Sequence, residues 1–224
     1  MKRILLAFWI LLFSVAGVCQ QSEQSAMVQR LQQAGLVDVK SIDTNIVVEL
    51  KYATTDNFTG QNLYGDFREA YLQSEVAKML GVAQKKLKEK HSDWNLIVYD
   101  AARPRSVQQR MWNIVKNTSW RSYVASPASI SMHSYGVAVD LSIVDEQGKP
   151  IDMGTDFDDF SEKSEPRYER KFLQEKKLTQ QQINNRLLLR NIMKNAGFRS
   201  IQNEWWHFDA MNKEQAKAKY NPID

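Results

Sequence analysis

Two short motifs constrain this chain more than anything else in it. One reads Ser131-Met132-His133-Ser134-Tyr135-Gly136-Val137-Ala138-Val139-Asp140, and the other Glu204-Trp205-Trp206-His207 near the C-terminus. Between them they hold two of the three histidines in 224 residues. His133, Asp140 and His207 are two imidazoles and one carboxylate, the ligand set of an open catalytic zinc whose fourth position is left to water. Glu204, just ahead of the last ligand, is placed to take a proton from that water. A lone histidine beside an aromatic is ordinarily a core or surface residue. Two such motifs on strand-like patterns in one chain outweigh that reading and predict a single zinc ion in a hydrolase.

Strand parity adds a condition. Val137–Ser142 alternates as a strand and puts Ala138, Asp140 and Ser142 on one face. In an unbroken strand His133 would point away from Asp140, so Ser134-Tyr135-Gly136 must turn or bulge, with Gly136 permitting it. Glu204 and His207 have the same mismatch, which predicts that Glu204 sits at the mouth of its strand, after the turn residue Asn203. His91 closes a charged helical run and reads as solvated.

The N-terminus bears on compartment. Lys2-Arg3, the apolar run Ile4–Val18 and the abrupt polar exit after Cys19 form a secretory signal, read as residues 1–19. The run is short for a membrane span. The expected product is exported and periplasmic, and Cys19, the only cysteine, stands where a bacterial lipoprotein carries its acylated residue, a candidate lipid anchor. No disulfide can form within the mature chain. Residues 20–224 then make a single domain, long enough for a substantial core. The formal charge is +4, to which Lys2 and Arg3 contribute two. That balance argues against nucleic acid as a partner.

Periodicity predicts helices over Gln24–Ala34, Ser74–Lys90, Ser106–Lys116 (capped by Ser106), Thr179–Asn195 and Lys213–Lys219. The first long one would bury Val76, Met79, Leu80, Ala83 and Leu87, and Thr179–Asn195 would bury Ile183, Leu187, Leu188 and Ile192. Strands are expected over Asn45–Leu50, Asn95–Tyr99, Val137–Ile143 and Trp205–Asp209. The fold class is α+β, a small mainly antiparallel sheet with helices packed against it and the zinc site on the sheet. The charged stretch Ser161–Lys177 is a solvated face or a flap over the site.

Asp100-Ala101-Ala102-Arg103-Pro104 follows a buried strand directly. Arg103 there can hydrogen-bond an oxyanion, or pair with Asp100 in a surface salt bridge. With these blocks in place the chain resembles the D-alanyl-D-alanine dipeptidase family of zinc peptidases, the VanX-type enzymes. The likeness rests on Lys51-Tyr52-Ala53-Thr54 with Asp56-Asn57-Phe58-Thr59-Gly60, on Asp100 with Arg103-Pro104, and on the Ser131–Asp140 block. Met153-Gly154 with Phe157-Asp158, and Glu204–His207, complete it. The resemblance implies zinc ligands His133, Asp140 and His207, a general base and acid at Glu204, and a transition-state stabiliser at Arg103. It also implies that Tyr52, Asp100, Ser131 and Asp158 line a small pocket for a dipeptide, with Asp158 at the ammonium end. Met132 departs from the small hydroxyl residue common in the family, and Ala101-Ala102 from a glycine–aromatic pair. A D,D-carboxypeptidase acting on stem peptides and a non-catalytic zinc-containing wall-binding module are the rival expectations.

Overall fold

The computed structural model describes residues 26–224. The signal reading of residues 1–19, Cys19 and the start of the first predicted helix lie outside the described residues. The elements in order are a helix over 26–33 (α1), β1 (Leu36–Asp38), β2 (Val47–Val48), β3 (Tyr71–Gln73), α2 (Ser74–Lys88), β4 (Asn95–Asp100) and α3 (Arg105–Val115). There follow β5 (Ala138–Val144), α4 (Glu169–Gln174), α5 (Gln180–Asn195), β6 (Arg199–Ser200), β7 (His207–Asp209) and α6 (Lys213–Lys219). Among the described residues no helix is long and apolar enough to cross a membrane.

A five-stranded mixed sheet in the order β2-β4-β5-β7-β6 carries the molecule, and β1 and β3 form a separate antiparallel pair. Only β2 runs parallel to its neighbour; the other three pairings are antiparallel. The two sheet faces differ in what covers them. Leu96, Val98, Val139, Leu141, Ile143 and Phe208 point into the main core with Val76, Leu80 and Leu87 of α2 and Leu189, Ile192 and Met193 of α5. The other face carries Ile97, Tyr99 and Val144 in a smaller cluster and, further along, the polar residues of the site. Alternation of side chains along each strand produces this division.

Several boundaries differ from those the sequence predicts, each for a local reason. The β2 strand is only Val47–Val48, because the chain turns at Leu50 into a 3-10 turn, Lys51–Ala53, that buries Tyr52. Helix α3 starts at Arg105, with no side-chain cap from Ser106. The Arg105 N–H instead donates to the Ile223 carbonyl at 2.9 Å, so the C-terminal tail satisfies an orphan donor. Helix α5 has a capping box between Thr179 and Gln182, but its inward face includes Arg186 while Leu187 is exposed. His91 is not simply solvated: it stacks on Trp94 at 3.9 Å between ring centroids. The Ser161–Lys177 stretch folds into two 3-10 turns and α4.

Candidate metal centre and active site

Register places the site. Asp140 of β5 lies directly opposite His207 of β7 on one side and Asp100 of β4 on the other. This row across three strands requires a bulge: the ladder between β4 and β5 is regular up to Val98 and skips one residue before Asp100. His133 comes from outside the sheet, on a 3-10 turn over Met132–Tyr135 that ends at Gly136 with φ +69°. The turn required by parity is therefore present, and a Cβ at Gly136 would come within 2.8 Å of Leu36 Cδ2. Glu204 precedes β7, which begins only at His207.

The ligand atoms of His133, Asp140 and His207 lie within 4.8 Å of one another. His133 Nε2 is 3.2 Å from His207 Nδ1 and 3.3 Å from Asp140 Oδ2, and His207 Nδ1 is 2.9 Å from Asp140 Oδ1. The outer nitrogens fix the tautomers. His133 Nδ1–H donates to the Ala101 carbonyl at 2.8 Å, and His207 Nε2–H donates to Asp209 Oδ1 at 3.0 Å. With both protons used outward, two imidazole lone pairs and a carboxylate face one another. That arrangement is repulsive unless a cation or proton sits between them. Two nitrogens on one tetrahedral zinc at roughly 2.0–2.1 Å stand about 3.3 Å apart, so the spacing fits the ion. Burial would raise the Asp140 pKa, but His133 and His207 outweigh it and hold the carboxyl well below its usual range. Burial would lower that of His207, and Asp209 with Asp140 instead raises it well above normal.

A cavity of about 320 Å³ opens over these atoms. Arg103, Glu204, Tyr52, Ser131 and Asp158 all line it, together with Met132, Phe58, Phe160, Tyr123 and Trp206. None of residues 161–177 does. Burial pushes the Glu204 carboxyl up to about 7, and Asp140 adds to the effect while His207 and Arg103 oppose it. Arg103 lies over the Tyr52 ring at 5.1 Å and reaches to 3.6 Å from Asp140 Oδ2. Its Nε donates to Asp100 Oδ2 at 2.7 Å and its Nη1 to Gln108 Oε1 at 2.8 Å.

Asp100 does not line the cavity, contrary to the pocket role implied for it. It is fully buried behind Arg103 and also accepts from the Tyr64 hydroxyl at 2.6 Å. The Asp100–Arg103 pair is real but buried, not a surface bridge. Asp158 has φ +63°; its carboxylate accepts from Tyr52 OH at 3.0 Å and from the Phe58 N–H at 3.3 Å. Burial pushes its pKa well above the usual range against those two donors. An aromatic group also lines the cavity: Phe160 stacks on Tyr123 at 4.8 Å and 9°, and lies 5.0 Å from Phe58.

Sequence reasoning missed Asp209, Tyr64 and Gln108. Asp209 was within reach of it, since it stands two residues after His207 on the same strand face. Ala101 and Ala102 are buried and line no part of this cavity, whereas Met132 does.

A family model describing D-ala-D-ala dipeptidases matches residues 32–222. A D-alanyl-D-alanine dipeptidase of Escherichia coli is 35% identical over 177 residues, which is 78% of this chain and 83% of that protein. One of Synechocystis is 31% identical over 61% of this chain and 68% of its own length. One of Enterococcus faecalis is 27% identical over 77% of this chain and 90% of its own length.

Proposed function

Because the chain belongs to the D-ala-D-ala dipeptidase family, we propose that its cavity hydrolyses free D-alanyl-D-alanine to two molecules of D-alanine. The observation that carries the reading is the set of facing lone pairs on His133, Asp140 and His207, each imidazole anchored from behind. Zinc held by those three residues would lower the pKa of a bound water to around 7 and polarise the scissile carbonyl. Glu204 accepts the proton as water oxygen bonds to the carbonyl carbon. It then delivers that proton to the departing amine nitrogen as the C–N bond breaks. In the metal-free cavity burial raises its pKa to about 7. Arg103, held rigid by Asp100 and Gln108, keeps N–H groups for the oxyanion.

The substrate is a zwitterion, and Asp158 meets its ammonium. Burial pushes that carboxyl's pKa up, and an arriving ammonium would favour its charged form. Ser131 and Tyr52 complete the lining, with the Phe160–Tyr123 stack on the same wall as Asp158. From the signal pattern of residues 1–19 we propose that the protein is exported and acts in the periplasm on cell-wall dipeptide, with Cys19 as a candidate lipid attachment point.

The test measures D-alanine released from free and from N-acetylated D-alanyl-D-alanine, before and after chelation. Hydrolysis of the free dipeptide that stops with chelator and returns with zinc supports the reading. Equal turnover of the acetylated form would move the enzyme to a carboxypeptidase acting on stem peptides. No turnover with zinc present would reduce the site to a metal-binding module.

A further inference from the structure

Arg186 on α5 is buried and lies outside the cavity, and the reaction as derived has no use for its charge. Its contacts are with one loop. Nε donates to the Met153 carbonyl at 2.7 Å, and Nη1 to the Lys163 carbonyl at 3.0 Å. Asp158 stands midway between those two residues. A single guanidinium thus joins the two ends of a loop at its neck, with the ammonium-facing carboxyl at its tip. Neighbouring side chains hold the same neck: Asn185 Nδ2 donates to the Asp152 carbonyl and Gln182 Nε2 to the Asp152 carboxylate, each at 2.8 Å. On the far side Trp205, adjacent to Glu204, donates to Thr155 Oγ1 at 2.8 Å.

The energetics argue that this cation is there for shape. Glu169 lies 3.7 Å away and offsets its charge, yet Arg186 Nη2 has no hydrogen-bond acceptor among the described residues. A buried donor without a partner is costly, and an apolar side chain of similar volume commonly replaces a buried ion at no loss of stability. What an apolar side chain cannot do is bind two carbonyls at a fixed separation. Asp158 needs that help, because its left-handed backbone persists only where the surroundings over-determine it.

We propose that Arg186 is a positioning residue: by clasping Met153 and Lys163 it fixes Asp158 against the substrate's ammonium. The inference rests on the dipeptidase reading for its substrate. Arg186→Lys keeps the charge but loses the fork. Its kcat/KM for free D-alanyl-D-alanine should fall about tenfold or more, mainly through KM. Turnover of the N-acetylated dipeptide, which has no ammonium, should change less than about twofold. An equal fall with both substrates, or none with either, overturns the clasp. Amide exchange supplies a readout independent of catalysis. Faster exchange confined to residues 154–162 supports the clasp, whereas unchanged or uniformly faster exchange overturns it. If wild-type protein cleaves neither substrate, the dipeptidase reading fails and the exchange experiment still decides the clasp. If Arg186→Lys does not fold, Asn185→Ala and Gln182→Ala each remove one contact at the same neck. Both should narrow the gap between free and acetylated substrate, and a gap unmoved in both overturns the proposal.

Discussion

Replacing Asp209 by alanine tests the metal centre without touching a ligand. Its carboxylate accepts the His207 Nε2 proton at 3.0 Å and so keeps Nδ1 free to face Asp140 and His133. A hydrogen bond to a charged group contributes about 1.5–3 kcal/mol, and the Asp209 side chain is 20% exposed, which favours the lower half of that range. A loss of about 1.5–2 kcal/mol corresponds to a ten- to thirtyfold weaker zinc Kd. That lies inside the roughly 10–100-fold span usual for outer partners of metal-bound histidines. Asp209→Asn keeps an acceptor oxygen and should lose about half as much free energy. The assay is competition for zinc against a chromophoric chelator at neutral pH, on protein shown to be folded by circular dichroism. A Kd for Asp209→Ala within about twofold of wild type would refute the tautomer argument, and with it the reading of which nitrogens face the metal.

Four further outcomes follow from the geometry. Glu204→Gln should lower kcat by at least about 10²-fold while zinc stays bound; loss of the metal would make Glu204 a ligand instead. The same variant should stabilise the metal-free protein at pH 8. Burial raises the folded pKa from 4.5 to about 7, so the wild-type carboxyl opposes folding increasingly as pH rises through that window. The gap, on the order of 3 kcal/mol above pH 7, should close below about pH 4.5 in urea titrations. Asp158→Asn should weaken binding of free D-alanyl-D-alanine to the Glu204→Gln protein by about tenfold or more in calorimetry, because the ammonium loses its charged partner; an unchanged affinity counts against Asp158 as that partner. Gly136→Ala should cost about 1–3 kcal/mol, from a positive φ and a collision with Leu36, and weaken zinc retention by displacing His133; a neutral effect would show that the turn is not what aims the ligand.

The candidate ligand cluster was legible because histidine is scarce here and because parity demands a turn before Asp140 and a strand mouth at Glu204. The partners behind them were less so. Tyr64 reaches Asp100, and Gln108 reaches Arg103, through loop geometry that no local pattern encodes. The inward face of α5 was misjudged for a related reason. A hydrophobic stripe assigns Leu187 to the core, but the carbonyls of Met153 and Lys163 draw Arg186 in, and Leu187 is left 40% exposed. The cap of α3 depends on Ile223, more than a hundred residues away. Of the fold class, the mainly antiparallel sheet and its helical cover were readable; the short β1–β3 pair, with too few residues to show a period, was not.

The bulge in β4 lets two adjacent residues serve one surface. In an even ladder Tyr99 and Asp100 would point in opposite directions; with the extra residue, Asp100 faces Asp140 while Tyr99 lies 5.3 Å from Phe157, next to Asp158. Neighbouring codons therefore specify the footing of the arginine and the footing of the loop that bears Asp158. Removing Tyr99 would restore a regular ladder with Asp100 still opposite Asp140. Such a shortened chain would keep its arginine braced and lose the ring beneath Phe157, which makes the two supports separable by change of length where they are inseparable by position.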